Sequence, residues 1–217
     1  STQYLASCEI AMANIEQLLF DNIPAVRAVK PDGGDGDLRA ARLVAEDSAR
    51  RIGPAIMLKV MPGDRLSISA QSLFEEEPEE EETLTPENVV GSLLSTLTGG
   101  MDISGVPLSE LPDNMKVIDR AFGDMGMLAD VLGNLPVENE NEAAPRAFLN
   151  ILVFDENLRL LPAESRRVQI TGTGGIWNIV GEVEFDPSQL VFVIVYVNNE
   201  SIGNDVWFDN LNISYYS

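Results

Sequence analysis

Carboxylates dominate the chemistry this sequence could do. The chain of 217 residues holds 35 Asp and Glu against 14 Lys and Arg, a formal net charge of −21, with no histidine and a single cysteine, Cys8. Two carboxylates flanking a glycosidic bond suffice for its hydrolysis, so an acidic carboxylate-based glycoside hydrolase is compatible with the composition. No pair stands out by spacing, however. Asp155 and Glu156 fall in Phe154-Asp155-Glu156-Asn157, which reads as a hairpin turn where acidic side chains serve turn geometry. The missing histidine removes Ser-His-Asp triads, Cys-His pairs and histidine-ligated zinc or copper. One cysteine makes neither an internal disulfide nor a zinc cluster. Without an imidazole partner, Cys8 reads as a plain thiol. The sequence therefore nominates no catalytic residue.

Two other residue classes could bind rather than react. Residues 75–82 hold seven glutamates in eight positions. Calcium prefers oxygens converging from a rigid loop, whereas like charges in a row repel and extend, so this run reads first as a solvated spacer. Aromatic rings can stack on sugars. Trp177 shares its expected face with Val183 and Phe185 and reads as core. Trp207 lies between two inward residues, Val206 and Phe208, and reads as outward-facing, the candidate carbohydrate-binding residue. Phosphates would be repelled by so acidic a chain, which argues against nucleic acid as a partner. The longest apolar run, residues 190–197, is too short to span a bilayer as a helix, so no membrane insertion is expected. The first residues carry no basic stretch before an apolar one and no initiator Met, so the chain reads as an excised piece of something longer.

These residues need elements to place them. The charge is uneven: residues 75–142 carry 17 acidic and two basic side chains, net −15, and the rest of the chain net −6. Both ends alternate with period two, and the middle does not. Leu58 and Val60, then Leu66, Ile68 and Ala70, alternate with polar or mixed positions around Pro62-Gly63-Asp64, which predicts a β-hairpin with one buried face. Residues 24–30 and 38–45 read as short strands, and residues 9–20 fit either a strand or a helix. Thr85-Pro86-Glu87 supplies an N-cap, a first-turn proline and an acidic first turn. Val89, Val90, Leu93, Leu94 and Leu97 follow at helical spacing, ending at Gly99-Gly100. A second helix is predicted over residues 114–132. Strands resume over 147–154, 167–170, 180–185, 190–197 and 205–214. The pattern predicts a mostly β fold, a β-sandwich over residues 1–74 and 143–217 with an acidic linker and helical insertion over 75–142. Residues 148–154 and 190–197 are apolar on both faces, so something must cover the outer face of the sheet they form. The helical stretch, or another domain of a parent protein, could do so.

Four blocks stand out: Gly53-Pro54 with Leu58-Lys59-Val60-Met61-Pro62-Gly63-Asp64; Ala147-Phe148-Leu149-Asn150 with Val153-Phe154-Asp155-Glu156; Tyr196-Val197-Asn198-Asn199-Glu200-Ser201; and, most specifically, Val206-Trp207-Phe208-Asp209-Asn210-Leu211. They resemble segments of bacterial RHS/YD-repeat proteins. In that family such blocks form a β-sandwich similar to galactose-binding and carbohydrate-binding modules (a jelly-roll or galactose-binding-like fold), ahead of the repeat core. The chain has no Tyr-Asp repeats and no core motif. The resemblance thus implies a non-catalytic, structural or adhesive module of a large exported RHS-repeat protein, extracellular or at the cell surface, with weak carbohydrate binding. Its partners would be glycans and the rest of the parent. The alternative is a purely architectural domain docked on the repeat shell. The resemblance also implies a structural calcium between the first and last strands, with Asp209 at the matching position and Glu16, Glu9 or Asp21 opposite. A second reading of Asp209 is a bulge in the last strand, because Val206 and Phe208 are out of phase with Leu211, Ile213 and Tyr215.

Overall fold

The computed structural model describes residues 8–10, 16–19, 26–29, 39–43, 52–74, 84–98, 106–111, 113–169, 178–201 and 206–216. Their strands are β1 (Cys8–Ile10), β2 (Glu16–Leu19), β3 (Val26–Val29), β4 (Arg39–Leu43), β5 (Ile52–Val60), β6 (Arg65–Leu73), β7 (Val137–Glu138), β8 (Ala147–Phe154), β9 (Arg166–Gln169), β10 (Asn178–Phe185), β11 (Val191–Asn199) and β12 (Val206–Tyr216). Three helices, α1 (Pro86–Thr98), α2 (Asp113–Ala121) and α3 (Met125–Asn134), lie between β6 and β7. The first sheet runs β10-β6-β12-β4-β3, with β1 parallel to β12, and the second runs β2-β5-β11-β8-β9-β7.

The two sheets share one core. Leu66, Ile68 and Ala70 of β6, Val183 of β10, and Val206, Phe208 and Ile213 of β12 meet Leu58, Leu149, Ile151, Val153, Val193 and Val195 of the second sheet. The mostly β sandwich expected from alternation is therefore present. Its turn at 61–64 is a correction. Strand β5 pairs with β2 and β11, and β6 with β10 and β12, so Pro62-Gly63 carries the chain from one sheet to the other rather than closing a hairpin. Gly63 takes φ +85°, and its N–H donates to the Pro187 carbonyl at 3.3 Å. Alternation cannot tell these cases apart, because a strand in either sheet turns every second side chain to the same core.

The doubly apolar strands are central neighbours, β11 beside β8. Their outward residues, Leu152, Phe154, Ile194 and Tyr196, pack with Met57 against Val89, Val90, Leu93 and Leu97 of α1, Ile118 of α2, and Leu128 and Leu132 of α3. Helix α1 begins as its residues dictate: the Asn88 N–H donates to Thr85 Oγ1 at 3.3 Å, and Pro86 takes the first position, where no intrahelical donor is needed. The single helix expected over 114–132 is instead two. Gly123 interrupts it, and Asp124 caps the second piece by accepting from the Met127 N–H at 2.9 Å. Helices α1 and α3 pack closely, since a Cβ on Gly133 would meet Pro86 Cγ at 2.9 Å. No helix among the described residues is long and apolar enough to cross a membrane.

Candidate functional site

The outer faces of the two sheets differ in kind. Helices lie on the second. On the first, Leu66, Ile68 and Ala70 of β6 point to the core, which sends Arg65, Ser67, Ser69 and Gln71 outward; Arg65 is exposed and the other three are partly exposed. In β12, Val206 and Phe208 are core residues, so Trp207 between them faces outward, partly exposed. It stands opposite Leu73 of β6 and Arg42 of β4. Glu184 of β10, exposed, stands opposite Ser67. The described part of this face thus offers hydroxyls, an amide, one cation, one anion and an indole. Such a surface can hydrogen-bond and stack, and it holds no nucleophile with an activating base.

The bulge expected in β12 is present. Asp209 pairs with Gln71 and Asn212 with Ser69, so three steps on β12 match two on β6. Ile213 is consequently turned into the core despite the phase change after Phe208. Asp209 sits at the start of this bulge, two residues from Trp207. Strand β1 runs beside it, with Glu9 opposite Asn212. Glu16 belongs to the other sheet, opposite Lys59. The pairing thus puts Glu9, rather than Glu16, beside the bulge. The side chains of Cys8, Glu9, Glu16 and Asp209 lie outside the description, as do Asp21, Trp177 and the glutamate run. Among the described residues, no cluster of three or more acidic or sulfur side chains is arranged to hold a metal. Asp155 is the turn residue its string suggests, since Oδ1 accepts from the N–H groups of Asn157 and Arg159, both at 2.9 Å.

Sequence reasoning missed a buried polar cluster at the far end of the second sheet's outer face. Asn150, Arg167, Asn198 and Glu200 are all buried. Arg167 donates from Nε to Asn150 Oδ1 at 3.0 Å and forms an ion pair with Glu200. Asn150 Nδ2 donates to Asn198 Oδ1 at 2.8 Å, and Asn198 Nδ2 to Glu200 Oε2 at 3.1 Å. The Arg167 guanidinium lies 4.0 Å from the centre of the Phe148 ring. Backbone bonds clamp the surroundings: Leu84 N–H to the Glu200 carbonyl at 2.9 Å, and Glu200 N–H to the Arg146 carbonyl at 2.7 Å. These bonds tie its four side chains to one another, so the cluster acts as a clamp. The only hint in the sequence was Asn150 inside an apolar run; its partners lie 17 to 50 residues away.

Burial sets the titration of two groups here. Desolvation lowers the Arg167 pKa from its ordinary value, opposed by Tyr196. Burial pushes the Tyr196 phenol up to about 12, opposed by Arg167. The Tyr196 hydroxyl is buried with no hydrogen-bond partner among the described residues.

The fold these elements define is a two-sheet β-sandwich with helices on one outer face. No family model matches the chain, and no curated protein matches it. Among solved structures it is similar to "Family 16 Carbohydrate Binding Module-2", at 9% identity and TM-score 0.39, over 88% of this chain and 85% of that one. It is also similar to the enzymatically active domain of bacteriophage CBA120 tailspike protein 4, at 9% identity and TM-score 0.41, over 94% of this chain and 19% of that one. A third is the N-terminal CBM22 tandem domain of Paenibacillus barcinonensis Xyn10C, at 11% identity and TM-score 0.39, over 94% of this chain and 46% of that one.

Two predictions follow from the clamp and the phenol. Arg167→Met leaves Glu200 buried without its cation and lowers stability in urea unfolding by about 3–5 kcal/mol. Adding Glu200→Leu recovers part of that loss; a double variant no more stable than the single one contradicts the pairing. For Tyr196, the folded state keeps a proton that the unfolded chain loses near pH 10. Stability present at neutral pH is therefore lost as pH rises from 10 toward 12, by roughly 3 kcal/mol. Tyr196→Phe removes this slope without loss at pH 7, as read by denaturant titrations at each pH.

Proposed function

We propose that this chain is a non-catalytic β-sandwich module that binds glycans weakly through the outer face of its first sheet, with Trp207 as the stacking residue. The observation that carries the reading is the asymmetry of the sandwich. One outer face is spent on burying helices, and the other presents a partly exposed tryptophan with Gln71 close by on β6 and Ser69, Ser67 and Arg65 further along the same strand. A sugar ring offers apolar C–H groups on a face and hydroxyls around its edge, and this surface provides a match for each. The non-catalytic part is supported by the structural roles of three of the described carboxylates. Asp155 holds a turn, Glu200 is paired inside the clamp, and Glu138 receives two bonds from Arg166.

The wider placement rests on the resemblance of the sequence blocks. It is a module of a large exported RHS-repeat protein, at the cell surface or outside the cell, with the rest of that protein as a partner. A calcium at the β12 bulge belongs to the same reading, with Asp209 as a ligand and Glu9 better placed by strand pairing than Glu16.

A glycan array tests the binding claim. The expected result is a set of hits that Trp207→Ala weakens by at least tenfold while the fold, checked by circular dichroism, is kept. No hits, or hits indifferent to Trp207→Ala, overturn the reading and leave the architectural role, docking on a repeat shell, as the function of this face.

A further inference from the structure

At the β7 edge of the second sheet, away from Trp207, a groove of about 700 Å³ runs between the end of α3 and the loop leading into β9. Val131, Leu135, Pro136, Pro162 and Ala163 make its apolar wall. That volume is in the range of small-ligand pockets, but no aromatic residue lines it, so it lacks a stacking platform for sugar.

The polar groups of the groove share a sign. The C-terminal end of α3 opens here, with no basic residue in its last turn to offset the carbonyl end of the helix dipole. Two carbonyls of the last turn are partly offset, since the Asn134 amide donates to the Asp130 carbonyl at 2.7 Å and the Leu135 N–H to the Leu132 carbonyl at 3.4 Å. The Asp130 carboxylate is exposed at the rim. The one cation in the lining, Arg166, is engaged with Glu138: its Nε donates to Oε2 at 2.7 Å, and a terminal nitrogen binds the other oxygen. That pair is neutral as a unit. The Asp130 carboxylate, at the carbonyl end of α3, is left as the negative feature above an apolar wall.

We propose that this groove is a docking site for a partner polypeptide segment in which a lysine or arginine is flanked by aliphatic residues. The aliphatic groups lie on Val131, Pro136 and Pro162, and the cation reaches Asp130 and the end of α3. The charge of the whole chain, −21, draws such a segment in from solution, and the groove gives it a defined seat. The inference stands independently of the glycan reading, which concerns the opposite sheet.

The test is amide chemical-shift mapping of the intact chain titrated with a capped leucine-lysine-leucine tripeptide. The expected result is saturable shifts confined to residues 130–138 and 162–166. Replacing the lysine by norleucine, which keeps the methylenes and removes the charge, weakens binding at least threefold, and so does Asp130→Asn. Glu156→Gln, on the remote hairpin, leaves binding unchanged. Shifts spread over the acidic surface, equal binding of the norleucine peptide, an equal loss in Glu156→Gln, or no binding at all would each overturn the proposal.

Discussion

Strands β8 and β11 lie side by side with apolar side chains on both faces, and burying both faces at once is the constraint the other elements answer. Each fully buried aliphatic or aromatic side chain contributes roughly 1.5–3 kcal/mol, so leaving Leu152, Phe154, Ile194 and Tyr196 in water would forfeit a large share of a domain's net stability. The inner face is met by β6, β10 and β12. The outer face is met by α1, α2 and α3, whose apolar residues complete a second core. The molecule is therefore three layers deep on one side of the sandwich.

That arrangement decides where polar chemistry can sit. Beyond the helices, the same outer face turns polar, and there Arg167, Glu200, Asn150 and Asn198 satisfy one another. Glu200 also receives the Leu84 N–H, which ties the approach to α1 onto the end of β11. The clamp thus registers the helical layer against the sheet. Among the described residues, surfaces open to a ligand include the outer side of the first sheet and the groove at the β7 edge. The described part of the first is polar, with Arg65 and Glu184 of opposite charge, and the second is apolar with the Asp130 carboxylate at its rim. Two such different surfaces suit different partners.

Much of this was legible in the sequence where the signal is local. Period-two alternation placed most strands, Thr85-Pro86 marked the start of α1, and the phase change after Phe208 marked the bulge in β12. The double apolarity of residues 148–154 and 190–197 required a cover before any helix was seen. What escaped depends on distant pairing. The turn at Pro62-Gly63 looked like a hairpin because alternation reports a buried face and not which sheet supplies it. The interruption at Gly123-Asp124 was hidden by apolar residues that continue at near-helical spacing on both sides. Arg167 and Glu200 are far apart in sequence, and nothing local to either marks the other. Trp207 was placed outward by its neighbours, whereas the groove is built from two separate segments and has no sequence signature.

The central claim is that the helical layer and the sandwich form one cooperative core, rather than a sandwich with an appended lid. Native-state hydrogen exchange at increasing, sub-denaturing urea tests this most directly. The account predicts that amides of Val90, Leu93 and Leu97 in α1 and of Leu152 and Ile194 in β8 and β11 converge on a single opening free energy, that of global unfolding. Exchange of the α1 amides through an opening about 3 kcal/mol or more below that of β11, with the strands still protected, would contradict it.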